Sequence, residues 1–291
     1  MDPFLSERKI SLLFKREDLN HSEMSGNKWH KLRYNLQEAR NLGLNTLLTF
    51  GGAYSNHIYA VAAAGKIFNF HTIGIIRGEE HLPLNPTISF ARNKGMQIYY
   101  LDRSSYRRKD SAEILTSLRD KFGEFYLLPE GGTNLLAVKG CSEIINKINI
   151  EFDYICCPCG TGGTLAGLIS GLMGKKFALG FSVLKSGSFL KKNVLELLRS
   201  TNGSDLMNWD INLEYHFGGY AKVDKQLFNF ISRFSDRTKI PIEPIYTGKM
   251  LYGIYDLIKK EFFKEGDRIV ILHTGGLQGL RGLLERKNLF G

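Results

Sequence analysis

Thr46-Leu47-Leu48-Thr49-Phe50, then Gly51-Gly52-Ala53-Tyr54, then Ser55-Asn56-His57 and an alanine-rich run to Phe68: this stretch decides the fold. Thr46–Phe50 is a compact β-rich run, and Gly51-Gly52 ends it. Ser55 or Asn56 then caps a helix through Phe68, because a short polar side chain accepts hydrogen bonds from the free N–H groups of a first turn. Strand, glycine turn and helix follow in order, and the unit recurs on both sides. Downstream, His71–Ile76, Met96–Leu101 and Phe125–Leu128 read as strands, with Pro86–Lys94 and Ser111–Lys121 as helices. Upstream, Ile10–Phe14 is a strand, and apolar Leu32, Leu36 and Ala39 give Lys28–Leu42 helical spacing.

The second half behaves alike. Tyr154–Cys159, Phe177–Val183, Leu213–His216, Ile242–Tyr246 and Arg268–His273 read as strands. Leu135–Asn146, Thr161–Met173, Lys191–Ser200, Val223–Phe234 and Met250–Phe263 read as helices, and residues 201–205 as a surface loop. Such alternation predicts an α/β fold of mainly parallel, open twisted sheets with right-handed crossovers. Ligands then bind at the carboxyl ends of the strands, where the glycine turns gather.

The 291 residues, 43% of them hydrophobic, suffice for two units sharing a cleft. We expect a larger one from 1–40 plus 139–291 and a smaller one, 41–138, inserted in it. Cys156, Cys157 and Cys159 crowd one apolar strand, and with Cys141 they read as buried small residues rather than a disulfide framework or a metal site. No leader-like apolar core and no membrane-spanning run is visible, so the expectation is a cytoplasmic protein with no membrane partner. The formal charge of +10 is dispersed in short runs such as Arg107-Arg108-Lys109, which argues against nucleic acid and for solvated faces with a field that suits anionic ligands.

Three stretches carry chemistry. Lys28 stands at a helix start behind Ser25-Gly26-Asn27, where free amides favour anions and ease deprotonation of an amine. Gly160-Thr161-Gly162-Gly163-Thr164 leaves an apolar strand and enters a helix, so it serves either close packing or a phosphate. It is neither a Walker loop, lacking Lys-Ser/Thr, nor a dinucleotide fingerprint. An amine able to condense with an aldehyde, a phosphate loop and the amide of Asn56 are together the parts of a pyridoxal 5'-phosphate site.

With Lys15-Arg16-Glu17-Asp18-Leu19, Ser25-Gly26-Asn27-Lys28, Gly51-Gly52 with Ser55-Asn56-His57, Pro129-Glu130-Gly131-Gly132-Thr133-Asn134, Tyr246-Thr247-Gly248-Lys249 and His273-Thr274-Gly275-Gly276 in order, the chain resembles the 1-aminocyclopropane-1-carboxylate deaminase and D-cysteine desulfhydrase family along nearly its whole length. The resemblance implies the tryptophan-synthase-β-like fold (fold type II), with the active site in the cleft between two sheet domains. It implies that Lys28 binds the cofactor's aldehyde, Asn56 its phenolic oxygen, and Gly160, Thr161, Gly162, Gly163 and Thr164, helped by Lys31, its phosphate. Ser55, Asn56 and His57 would hold the substrate, Tyr246 and Tyr220 would line the face of attack, and Thr247 and Thr274 would lie near the pyridine nitrogen.

Thr247 and Thr274 follow the desulfhydrase pattern; the deaminases have Glu and Leu there. A neutral hydroxyl holds the ring nitrogen less firmly protonated than a carboxylate would, which suits removal of an α-proton and loss of a thiolate better than opening a cyclopropane. The expectation is β-elimination from D-cysteine to pyruvate, sulfide and ammonia, with aminocyclopropane-carboxylate deamination as the alternative and a non-catalytic cofactor-binding or basic interaction protein as the rival of another class. Tyr54 replaces the family's usual Gln, and Ala221 the glycine after Tyr220. A homodimer is expected.

Overall fold

The computed structural model describes residues 2–201 and 206–278. A short helix α1 (Pro3–Glu7) leads to β1 (Ser11–Arg16), α2 (Asn27–Asn41), β2 (Thr46–Gly51), α3 (Asn56–Phe68) and β3 (His71–Arg77). Then come α4 (Pro86–Asn93), β4 (Gln97–Leu101), α5 (Arg103–Arg107), α6 (Ala112–Phe122), β5 (Tyr126–Leu128) and α7 (Leu135–Ser142). The chain continues through β6 (Tyr154–Cys159), α8 (Gly163–Leu172), β7 (Phe177–Ser182), α9 (Phe189–Arg199), β8 (Trp209–Asn212), α10 (Lys225–Thr238), α11 (Thr247–Lys259) and β9 (Arg268–His273).

Two all-parallel sheets result, ordered β1-β9-β6-β7-β8 and β4-β3-β2-β5. Every strand between residues 46 and 128 joins the four-stranded sheet, and the remaining strands join the five-stranded one. Parallel strands covered on both faces need apolar side chains on both faces, which explains the near-continuous burial of Leu47–Phe50 in β2 and of Ile155–Cys159 in β6. The four cysteines are buried free thiols, three of them in β6.

Small residues bring the helices of the larger sheet close together. A Cβ on Gly140 would overlap the His30 carbonyl oxygen, and one on Gly167 would overlap the Cys141 side chain, so α7 touches both α2 and α8 at van der Waals distance. The consequence reaches the site: α2 and α8, whose N-termini carry Lys28 and the Gly160–Thr164 turn, are held in one packed unit.

Two expected strands are absent. The strand placed at Leu213–His216 lies earlier, at β8, where Ile211 is buried and 213–216 already turn away from the sheet. Ile242–Tyr246 is not a strand because Pro241 and Pro244 lack N–H groups and the Glu243 carboxylate takes those of Ile245, Tyr246 and Thr247. The helix expected over Leu135–Asn146 stops at Ser142, and the one over Thr161–Met173 is confined to α8. The loop expected at 201–205 lies, from 202 on, outside the described residues.

Candidate active site

At the carboxyl ends of both sheets the chain lines an inner cavity of about 70 Å3 and, beside it, an outer one of about 720 Å3. Gly131, Gly160, Thr161 and Tyr246 belong to the walls of both. Lys28, Lys31, Asn56, Gly162, Thr164 and Thr274 line the inner cavity, and Ser55 and Tyr220 the outer one.

Gly26 sets the position of Lys28. It has φ +71°, which favours glycine, and a Cβ there would overlap the carbonyl of Thr274, so the backbone before α2 lies directly on the turn after β9. Its N–H donates to the Glu17 carbonyl oxygen at 2.8 Å. Asn27 Nδ2 then donates to Thr164 Oγ1 at 2.8 Å, tying the start of α2 to the start of α8. Lys28 Nζ donates to Asn27 Oδ1 at 3.2 Å. Burial, reinforced by the charge of Lys31, lowers the Lys28 ammonium to about 7. Near neutral pH a large share of it is therefore a free amine, the form that attacks an aldehyde.

Lys31 is buried, donates to the Gly131 carbonyl oxygen at 2.9 Å and to Thr133 Oγ1 at 3.1 Å, and is also lowered by burial. Thr133 Oγ1 meets Thr161 Oγ1 at 2.6 Å. No side chain caps α8, so its first-turn N–H groups are not claimed by a capping oxygen, and Gly160, Thr161, Gly162 and Thr164 at this helix start line the inner cavity; Gly162 is at φ +84° and packs against Val194. An uncapped helix N-terminus, two lysines and two threonine hydroxyls make a site for a dianion.

The Ser55-Asn56-His57 stretch divides. Ser55 Oγ accepts from the His57 and Ile58 N–H groups, which leaves its own O–H to donate into the outer cavity. Asn56 faces the inner cavity, with its Oδ1 accepting from Gln278 and its Nδ2 so close to Gly276 that a Cβ there would stand 2.6 Å away. His57 lines neither cavity: its buried ring packs on Gly132, both ring nitrogens lack a hydrogen-bond partner among the described residues, and burial followed by the Lys28 and Lys31 charges holds it well below the usual imidazole range. The three side chains do not line one cavity.

Tyr246 and Tyr220 meet edge to face at 5.9 Å between ring centres. Thr247 is fully buried behind Thr274, with 3.4 Å between their hydroxyl oxygens, so only Thr274 reaches the inner wall.

Two roles escaped the sequence reading, that of Glu243 and that of Lys249, which stood there only as the end of the Tyr246-Thr247-Gly248-Lys249 motif. Glu243 is buried and caps α11 by accepting from Ile245, Tyr246 and Thr247 N–H at 2.7, 2.9 and 2.5 Å; burial raises it to about 7 although those bonds pull it down. Lys249 is fully buried and donates to the carbonyls of His216 and Gly219 at 2.9 and 2.7 Å, bracing the turn that carries Tyr220. Burial lowers it to about 8. A Glu four residues before a helix was the available signal for the first; nothing local signals the second.

The geometry defines an α/β enzyme site with a low-pKa lysine beside a glycine-lined anion cradle. The comparisons then give the family. Residues 2–275 match the family described as pyridoxal-phosphate dependent enzyme, and the chain belongs to it. A Pyrococcus furiosus protein provisionally named a 1-aminocyclopropane-1-carboxylate deaminase is 32% identical over 91% of this chain and 84% of its own. The bifunctional, mitochondrial D-cysteine desulfhydrase/1-aminocyclopropane-1-carboxylate deaminase of Arabidopsis thaliana is 30% identical over 92% of this chain and 73% of its own. The crystal structure of an ACC deaminase homologue superposes with a TM-score of 0.81 at 28% identity, covering 95% of this chain and 87% of that one. The fold is fold type II.

The residues present fit pyridoxal phosphate, with an amine for its aldehyde and a helix start without a side-chain cap, lined by Thr161 and Thr164 and beside Lys31, for its phosphate. Uptake of the cofactor by cofactor-free protein, followed by absorbance, is expected to speed up as pH rises through about 7, because only neutral Lys28 attacks. A midpoint in the ordinary lysine range would contradict the buried placement of this amine.

Proposed function

We propose that the protein catalyses β-elimination on a small D-amino acid, taking D-cysteine and water to pyruvate, sulfide and ammonia. The observation that carries this reading is the Thr247–Thr274 hydroxyl pair, which puts a neutral group on the inner wall. Glu23, the carboxylate among the described residues of that wall, is engaged by Lys94 at 2.5 Å. Bound pyridoxal phosphate supplies an electron sink for the pair left at the α-carbon. Gly160–Thr164 and Lys31 would hold its phosphate, and the Asn56 amide its phenolic oxygen.

Lys28, lowered by burial to about 7, removes the α-proton in its neutral form and retains it. The Ser55 hydroxyl donates to the substrate carboxylate and orients it. Tyr246, buried and pushed well above the usual phenol range by burial first and by Tyr220 next, stays protonated and can donate a hydrogen bond to the departing sulfur. The names of the relatives, one of them bifunctional, support both chemistries in this family. We also read the chain as a cytoplasmic homodimer, which its buried free thiols and the frequency of two-fold assemblies favour.

The test is a product assay on holoenzyme. Pyruvate and sulfide from D-cysteine are expected at a rate far above 2-oxobutyrate from aminocyclopropane-carboxylate; the reverse order would overturn the assignment.

A further inference from the structure

The next step rests on the elimination reading and concerns the group that leaves. The outer cavity, at about 720 Å3, falls in the ~300–1,000 Å3 range of sites that enclose drug-sized ligands, whereas the side chain of cysteine ends at one sulfur. Its outer wall is charged. Lys109 lies there with Glu130, 3.3 Å apart, and Glu130 also accepts from the Tyr106 hydroxyl at 2.9 Å. Asp110 is a further 3.3 Å partner of Lys109, so this cation is matched within the wall.

Arg77 differs. It is the last, solvent-exposed residue of β3 and lines the same cavity, and no ion pair or hydrogen bond among the described residues engages its guanidinium. Arg77 shares this lining with Tyr220 and Glu130, and its charge opposes the rise that burial imposes on the Tyr220 and Tyr106 phenols. A guanidinium with no partner among the described residues, on a cavity wall with Asn193 and Tyr54 on the same lining, has the donor geometry to pair with a planar anion.

We propose that Arg77 forms a subsite for a second carboxylate, carried on the β-substituent, so that the substrates are D-alanines β-linked through sulfur to a carboxylate-bearing group. For S-carboxymethyl-D-cysteine the step balances without an oxidant. The α-proton goes to Lys28, the Cβ–S bond breaks with its electron pair on sulfur, the sulfur takes a proton and leaves as thioglycolate, and one water releases pyruvate and ammonia.

The experiment compares this compound with its neutral isostere, S-carbamoylmethyl-D-cysteine, on the holoenzyme. Two readouts are taken: kcat/KM for pyruvate, and Kd from the change in cofactor absorbance. The expected preference for the carboxylate is roughly tenfold, lost in Arg77→Gln and partly restored in Arg77→Lys. Equal affinity for the two compounds, or a preference that survives Arg77→Gln, overturns the subsite. If no D-amino acid yields pyruvate the elimination reading falls, and the affinity ratio still decides the role of Arg77.

Discussion

Lys28→Ala will lower pyruvate formation from D-cysteine by at least ~10³-fold, because one amine is asked both to fix the cofactor and to carry the α-proton. The loss should not be rescued by Lys31, the other lysine of the cavity. Lys31 is spent on the Gly131 carbonyl and the Thr133 hydroxyl, at 2.9 and 3.1 Å, whereas Lys28 has Asn27 at 3.2 Å. Reduction of the wild-type holoenzyme with borohydride, followed by peptide mapping, should fix the label on Lys28, and the variant should show none. A label on Lys31 would reverse the assignment of the two lysines.

Gly26→Ala should be the most damaging change to a residue with no functional side chain. Alanine at φ +71° costs about 1–2 kcal/mol, and the added methyl would also overlap the Thr274 carbonyl, which forces α2 away from the β9 turn. A total of roughly 4 kcal/mol corresponds to a melting-temperature drop of about 10 °C in a chain of this size, with cofactor uptake lost in what still folds. A melting temperature within ~2 °C of wild type would show that this contact is not tight.

Much of this was legible because each chemical group sits at a boundary that local rules detect. The Gly51-Gly52 turn, the Ser55 cap and the Gly160–Thr164 turn mark strand-to-helix junctions, and the junctions of parallel strands lie on one edge of a sheet. Lys28 was singled out by its place in the first turn of α2 and by the resemblance. His57 was misplaced because adjacency in sequence does not put successive side chains of a helix on one face: Ser55, Asn56 and His57 point to an outer wall, an inner wall and the packing around Gly132. The run Ile242–Tyr246 looked like a strand because burial makes strands and buried loops equally apolar; what separates them is where the N–H groups go, and here they go to Glu243. Arg77 carries no local signal at all, since an arginine ending a strand is ordinarily a solvated charge.

The turn braced by Lys249 runs through left-handed backbone at Phe217, Gly218, Gly219 and Ala221, a shape a free loop would not keep. Its brace comes from the first turn of α11, and Tyr246 stands immediately before the same helix. Both phenols therefore ride on one lever. A tilt of that helix would move the pair together, preserving the spacing between them while changing their distance from Lys28.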